Sequence, residues 1–567
     1  MEVVERKFSP SQALALVKTG TPPVLARALA ARGVKRSQDA AGPLAALLPY
    51  TLLKNAVKMA EILADAIEQG KRLLIVADYD ADGATACSIG VRALRAFGAN
   101  VGYIIPNRLE HGYGLTPEIA QIACNQTSRP DYLITVDNGI ASHEGIALAN
   151  KLGVPVLVTD HHLPTPVHPD ALVIVNPNQH GCTFASKALA GCGVMYYVMW
   201  ALQDELVSRG YAGFAHDFDV RQLLPIVAVG TIADVVGFDY NNRILVNEGI
   251  LRIRAGEASP GIGMLAKVSG RATQTLATSD VAFGIGPRIN AAGRLESMDA
   301  GVECLITDSI EDATERSAQL NELNNRRQEI ELTMVEEAVR RLLTDVQPAR
   351  FTAVLHAPDW HTGVIGIVSG RIKEKIWRPT FVLADGKNGE MKGSGRSIPS
   401  LRLRDALDMV NTRFPGIILK FGGHDMAAGV TLRPGSLDAF AAAFETIVRE
   451  LLTPEDLRQT LEVDGPLTSD EMSLDTVKLL KTQVWGQLFT EPVFWDEFNV
   501  VEARPVGDGK HLRFVLEKNG VRYPGIKFRN SEVPPTGRIR VAYKLDANTF
   551  REETNLQLMV EHFEPAN

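Results

Sequence analysis

Cysteine is scarce: Cys87, Cys124, Cys182, Cys192 and Cys304 are the only five, and no two form a C-x-x-C pair. An odd, scattered set excludes a disulfide framework and a thiolate zinc site. Long apolar runs are also missing, since nothing approaches the roughly 20 residues that span a bilayer. The opening MEVVERKFSP has no basic stretch followed by an apolar one, so the expected address is the cytoplasm, with no membrane partner. Positive charge is in deficit, at 59 Lys and Arg against 67 Asp and Glu. The net charge of −8 disfavours nonspecific nucleic-acid binding but leaves a local basic groove open. Internal repeats and low-complexity tracts are absent as well.

The chain has 567 residues, of which 45% are hydrophobic and 22% charged, an ordinary soluble composition. That length predicts about three or four domains of roughly 150 residues. After some 50 residues of helix-like pattern (1–50), the run RLLIVADYD (72–80) reads as a buried strand and GATACSIGVRALRAFG (83–98) as the helix behind it. NVGYIIP, DYLITVDNG, VPVLVTD and ALVIVNP continue the strands, with helix-like HEGIALANKLG (143–153) between the second and third of these. Such alternation predicts an α/β lobe with a mainly parallel sheet and helices on both faces, over 51–308. PIVAVGTIADVVGF (225–238) reads as a buried helix.

From 309 to 348 the pattern predicts one long connecting helix, its apolar face carrying Leu320, Leu323, Ile330, Met334, Ala338 and Leu342, its cap drawn from Thr307, Asp308 and Ser309, and its end at Pro348. A second α/β lobe follows over 349–453, from FTAVLHAP through FVLAD to GGHDMAAG. The remainder, 454–567, reads as all-β, with Asn519-Gly520 a two-residue hairpin signal. A small oligonucleotide-binding barrel would place Phe514, Tyr523 and Phe528 beside Lys510, Arg513, Arg522 and Lys527; the alternative puts the aromatics in the barrel core.

In open parallel sheets, ligands bind beyond the carboxyl ends of the strands. Acids recur there: Asp78, Asp80 and Asp82 in DYDADG, Asp137 in VDNG, then Asp160 with His161 and His162 in VTDHHLP, while Asp234 in GTIADVV could complete the set. Any one of these could be a polar turn or a helix cap. So many carboxylates at one sheet edge repel one another unless cations neutralise them. Oxygen and imidazole donors without thiolate suit Mn²⁺ or Mg²⁺, with Mn²⁺ favoured by the histidine. Two ions about 3.5–4 Å apart, bridged by one carboxylate, activate water and clamp a phosphoester; Asp137, on the strand between the other groups, is the expected bridge. DADG also looks like a calcium loop, but a strand precedes it and the EF-hand glutamate is missing.

In order, VADYDADGATA, VDNG, TDHH, GTIADVV, GPRINAAGR, HTGVIGIVSGRI, GSGRS and GGHDMAAG resemble the motifs of the DHH phosphoesterase superfamily, whose naming triplet is here Asp160-His161-His162. Within it the likeness is to single-stranded-DNA-specific exonucleases, and it runs over nearly the whole chain. The resemblance implies a parallel-sheet DHH lobe, a connecting helix, a DHH-associated lobe and a C-terminal oligonucleotide-binding barrel. It implies metal ligands at Asp80, Asp82, Asp137, His161 and Asp234, with Asp78 and Asp160 close by and His162 addressing the phosphate. A common superfamily histidine four residues before the first ligand is here Val76, which would loosen one ion or bring in Asp78. Arg108, Ser394 and Arg396 would hold a terminal 5′-phosphate, Tyr113 would stack on a base, Arg288 and Asn290 would contact backbone phosphate, and His424 would face the cleft. Arg294 is open between phosphate contact and a structural role, and His361 between the site and the core; His143, His168, His180 and His216 have no motif context.

The implied activity is metal-dependent 5′-to-3′ digestion of single-stranded DNA to 5′-mononucleotides, in recombination and repair, by a monomer working beside a single-strand-binding protein and a helicase. Two rivals stand beside it: a phosphoesterase for short oligonucleotides or cyclic dinucleotides, and a metal-free DNA-binding scaffold.

Overall fold

The computed structural model describes all residues except 109, 214–216, 346–349, 387–388, 508, 530–532, 551–552 and 567. His216 and Pro348 therefore lie outside the described residues. The N-terminal segment is helical as its pattern predicts, with Pro10–Lys18 and Pro23–Ala31 each opened by proline. A short strand the pattern did not announce, β1 (Glu2–Glu5), comes before them.

Five strands build the first sheet: β2 (Arg72–Ala77), β3 (Asn100–Ile104), β4 (Tyr132–Val136), β5 (Val156–Thr159) and β6 (Val173–Val175). They lie in the order β3-β2-β4-β5-β6, all parallel. Successive residues along β2 alternate between two apolar cores. Leu73, Ile75 and Ala77 face one that includes helices Ala81–Ala96, Gly191–Ser208 and Leu224–Ala233, while Leu74 and Val76 face one under helices Pro117–Cys124 and His143–Lys151. Both faces of the sheet are thus covered, which is why its strands read as unbroken apolar runs. Because β2 has β3 on one side and β4 on the other, a crevice opens between the carboxyl ends of β2 and β4, the switch point where such sheets bind ligands.

The connecting helix runs Ile310–Asp345, 36 residues or about 54 Å. The Ser309 hydroxyl caps it by accepting from the Asp312 N–H (3.1 Å). Leu320 and Leu323 pack into the first lobe, and Met334, Ala338 and Leu342 into the second. The second lobe carries β7 (Ala353–His356), β8 (Thr380–Asp385), β9 (Met391–Arg396), β10 (Ile418–Gly423) and β11 (Ala427–Leu432) in the order β10-β11-β9-β8-β7, antiparallel except for β7 with β8. GSGRS and GGHDMAAG are therefore neighbours, with Ser394 opposite Gly429 and Arg396 opposite Ala427.

After β12 (Thr460–Val463), which pairs in parallel with β1, five strands close a barrel: β13 (Phe494–Val506), β14 (His511–Lys518), β15 (Val521–Lys527), β16 (Gly537–Phe550) and β17 (Glu553–Pro565). Asn519 and Gly520 turn from β14 to β15 with φ of 53° and 78°, the left-handed pair that a tight hairpin demands. One apolar core runs unbroken from the N-terminal helices through the first lobe into the barrel, whereas the second lobe has cores of its own. Phe514 and Tyr523 belong to the shared core, at 1% and 4% exposure. Of the two alternatives for the barrel aromatics, Phe514 and Tyr523 therefore follow the core one, and of the three rings only Phe528 is exposed. No described helix is long and apolar enough to cross a membrane.

Candidate metal centre

The acids end up at the switch point because each lies close to where an element ends or begins. Asp78 follows β2 and accepts the Tyr79 N–H (2.7 Å). Asp80 caps helix Ala81–Ala96, one carboxylate oxygen accepting from Asp82 and Gly83 N–H (2.9 and 3.0 Å). Gly83 has no substitute here, since a Cβ would fall 2.4 Å from the Asp78 carbonyl oxygen. Asp82 is held from across the lobe, where helix Gly191–Ser208 begins: the Gly191 and Cys192 N–H groups donate to its two oxygens (2.6 and 2.9 Å). Asp137 directly follows β4 in the left-handed region, φ 61°, a conformation Asp tolerates.

His161 closes the group. Its Nε2 lies 3.2 Å from Asp137 Oδ1, 3.6 Å from Asp234 Oδ2 and 3.9 Å from Asp82 Oδ2. Burial, followed by the neighbouring His162 charge, pushes its pKa down to about 3, so the imidazole is neutral. Burial and mutual repulsion push Asp78, Asp137 and Asp234 well above the usual carboxylate range. Asp137 Oδ1 is buried and accepts no hydrogen bond, a costly state for a carboxylate oxygen.

Ligand atoms of Asp82, His161 and Asp234 lie within 4.8 Å of one another, as do those of Asp78, Asp80 and Asp137 and those of Asp137, His161 and His162. Asp137 is thus common to two of the groups and 3.2 Å from the histidine of the third. An orphaned carboxylate between two such groups fits a pair of divalent ions, with oxygen and imidazole donors of the kind Mn²⁺ and Mg²⁺ take. Val76, where a histidine was expected, lies fully buried in the apolar core beneath the sheet, and Asp78 stands in the group on that side instead.

Asp160 is saturated. One oxygen accepts from His161 N–H, His162 N–H and His162 Nδ1 (2.7, 3.1 and 2.7 Å), the other from Ile140 N–H (2.9 Å). Burial opposes ionisation of both partners, yet their attraction wins, holding Asp160 at about 2 and raising His162 to about 9. A protonated imidazole is thereby aimed beside the carboxylates. Across the cleft the His424 ring stacks on it, centroids 5.6 Å apart and 24° from parallel. The Tyr113 hydroxyl donates to the Asp137 carbonyl (3.2 Å) and touches His162 Nε2 (3.2 Å), while the residue stays 48% exposed.

Three guanidiniums gather beside this centre. Arg108 lies over the Tyr79 ring at 5.2 Å. Arg396 Nη1 donates to Ser394 Oγ (3.2 Å) and the Gly395 carbonyl (2.9 Å). Arg294 reaches the Gly363 carbonyl (3.3 Å), and burial with the charges of Arg108 and Arg396 pushes its pKa down to about 9. Among the described residues none of the three forms an ion pair with a carboxylate. Helix Ile365–Ile376 also starts here, with Gly366 so close that a Cβ would sit 2.9 Å from Ser394 Oγ and 3.1 Å from Arg396 Nη2. Unpaired cations at a helix N-terminus make an anion site.

Family models match along the chain in this order: the DHH family N-terminal domain over 72–231, the DHHA1 domain over 350–450 and the RecJ OB domain over 463–562. The single-stranded-DNA-specific exonuclease RecJ of Escherichia coli (strain K12) is 42% identical over 96% of both chains. The chain belongs to the RecJ family. The crystal structure of RecJ in complex with Mn²⁺ from Thermus thermophilus superposes with a TM-score of 0.82 at 31% identity, over all of this chain and 79% of that one. Another, of exonuclease RecJ bound to manganese, gives 0.59 at 37% identity, over 73% and 98%.

Two residues expected at backbone phosphate make hydrogen bonds within the protein. Arg288 donates to Asn321 Oδ1 (2.9 Å) and to the Gly284 and Val268 carbonyls (2.7 and 3.3 Å), bracing its helix against the connecting helix. Asn290 Oδ1 accepts the Ala81 N–H (3.0 Å), steadying the loop of Asp78–Asp82. His361 accepts the Gly363 N–H (3.1 Å) and holds a loop turn. Sequence reasoning missed Gly191 and Cys192; the only signal was the small pair Ala190-Gly191 opening an apolar helix.

Proposed function

We infer that the protein is a metal-dependent exonuclease that degrades single-stranded DNA from its 5′ end to 5′-mononucleotides. The observation that carries this is the adjacency of a carboxylate cluster short of positive charge and an arginine pocket short of negative charge. A nucleic-acid terminus supplies what the second lacks, and divalent ions what the first lacks. Asp78, Asp80, Asp82, Asp137, His161 and Asp234 would hold two ions, Mn²⁺ or Mg²⁺. When bound, such ions polarise a phosphodiester and activate water at neutral pH.

The remaining roles belong to the chain. Arg108, Ser394 and Arg396, with Arg294 beside them, anchor the 5′-phosphate, which fixes how far along the strand the cut falls. Charged His162, oriented by Asp160, faces the scissile phosphate, and Tyr113 offers a half-exposed ring to a base. The stacking of His424 on His162 across the cleft narrows the approach to the carboxylates, which suits a single strand better than a duplex. Asp160→Asn should lower kcat about 10- to 100-fold, the usual cost of losing such a support, while Mn²⁺ still raises the melting temperature.

Working as a monomer in the cytoplasm, in recombination and repair beside a helicase and a single-strand-binding protein, is the setting this chemistry suits. 5′-Labelled single-stranded and duplex DNA, incubated with the protein with and without Mn²⁺, tests the activity. Mn²⁺-dependent release of labelled mononucleotide from single strands is expected. Cleavage confined to dinucleotides, or binding without cleavage, would replace this reading with one of its rivals.

A further inference from the structure

Two apolar residues stand on strained backbone between the metal centre and the barrel. Val235, directly after Asp234, has φ 62° and is 64% exposed. A β-branched residue in the left-handed region is an outlier that surrounding structure must enforce. Leu488 has φ 64° and is 80% exposed. It occupies a two-residue turn whose flanks, Gly486 and Phe489, exchange backbone hydrogen bonds (3.0 and 3.1 Å). Gln487 is not left-handed, so Leu488 holds the turn position that ordinarily calls for glycine or asparagine.

The two sites are joined. Phe238 N–H donates to the Gln487 carbonyl (2.8 Å), Gly237 bridges Gln487, and Leu488 lies so close to Gly237 that a Cβ there would meet its Cδ1 at 2.9 Å. Beyond the turn the chain enters β13 of the barrel. The pair thus begins at a metal-centre residue and ends where the barrel begins. A lone exposed leucine needs no explanation, but two apolar side chains turned outward at positions that disfavour them do.

We propose that Val235 and Leu488 form an apolar rail for DNA, on which bases 3′ of the scissile phosphate rest as the strand passes from the metal centre toward the barrel. This rests on the reading that the centre cuts single strands. Contact with base faces is sequence-tolerant, as a nuclease that consumes any sequence requires.

Asparagine accepts the left-handed region, so Val235→Asn and Leu488→Asn remove apolar surface without breaking the backbone. Each variant, and the pair, would be assayed with Mn²⁺ on a long 5′-phosphorylated single strand and on a 5′-phosphorylated dinucleotide, which is too short to reach Leu488. KM for the long strand should rise about fivefold per residue, the scale of a partly buried aliphatic side chain, with kcat unchanged, dinucleotide cleavage unchanged in Leu488→Asn, and the melting temperature level or higher. An unchanged KM would overturn the proposal while leaving the exonuclease reading intact; a fall in kcat on both substrates would place the residues in the metal centre and also overturn it. A lowered melting temperature, or a dimer of the native protein that the variants abolish, would assign the side chains to packing or to a second copy, and again overturn it. If the unaltered protein fails to cut single strands, the function itself falls first.

Discussion

Replacing Asp137 with asparagine is expected to abolish cleavage, lowering kcat by at least about a thousandfold, and at the same time to raise the melting temperature of the metal-free protein. The two effects share a cause. Asp137 is 2% exposed, and its ionised form is opposed by burial and then by Asp82, Asp80, Asp78 and Asp234. Without ions this charge opposes folding, so an isosteric neutral group should gain about 2 °C or more. Asparagine is the right probe because φ at this position is 61°; alanine would add backbone strain and confuse the reading. With Mn²⁺ the order reverses, since the native protein gains stability as RT ln(1 + [Mn²⁺]/Kd) and the variant gains much less. Calorimetry with and without Mn²⁺, paired with single-turnover cleavage, checks both halves. A variant that melts lower without metal, or still cuts at a tenth of the native rate, would remove Asp137 from the centre of the site.

The first sheet was legible because strands buried on both faces leave unbroken apolar runs, and the acids stood out because polar residues directly after such runs mark the ligand-binding edge. Long-range partners were not legible. β1 is mostly exposed, so its residues carry no periodic signal, and its partner Thr460–Val463 is distant in the chain. Nothing local to Asp82 announces that Gly191 and Cys192 will hold it. For Arg288 and Asn290 the residue types suit phosphate, but a side chain's partners within the protein depend on which groups the fold brings near, and here those are the Gly284 and Val268 carbonyls and the Ala81 N–H. Phe514 and Tyr523 point the same way: alternation placed them on strands, and barrel closure decided that their side of the strand was the inside.

Arg396→Ala should erase the preference for a 5′-phosphate. Arg396 lies on β9 in the second lobe and Arg108 follows β3 in the first, so the pocket exists only where the lobes meet. Burial and then Arg108 push the Arg396 pKa down, which is to say that the surroundings disfavour the guanidinium charge and an anion would relieve it. A charge-assisted contact with phosphate contributes about 1.5–3 kcal/mol, so kcat/KM on 5′-phosphorylated strands should fall about 10- to 100-fold. On 5′-hydroxyl strands, which lack the group, it should barely change, and the ratio between the two substrates should approach one. Arg108→Ala should act in the same direction, and the double variant should lose less than the sum, because both cations address one phosphate. A merely structural arginine would depress both substrates alike and leave their ratio as it was.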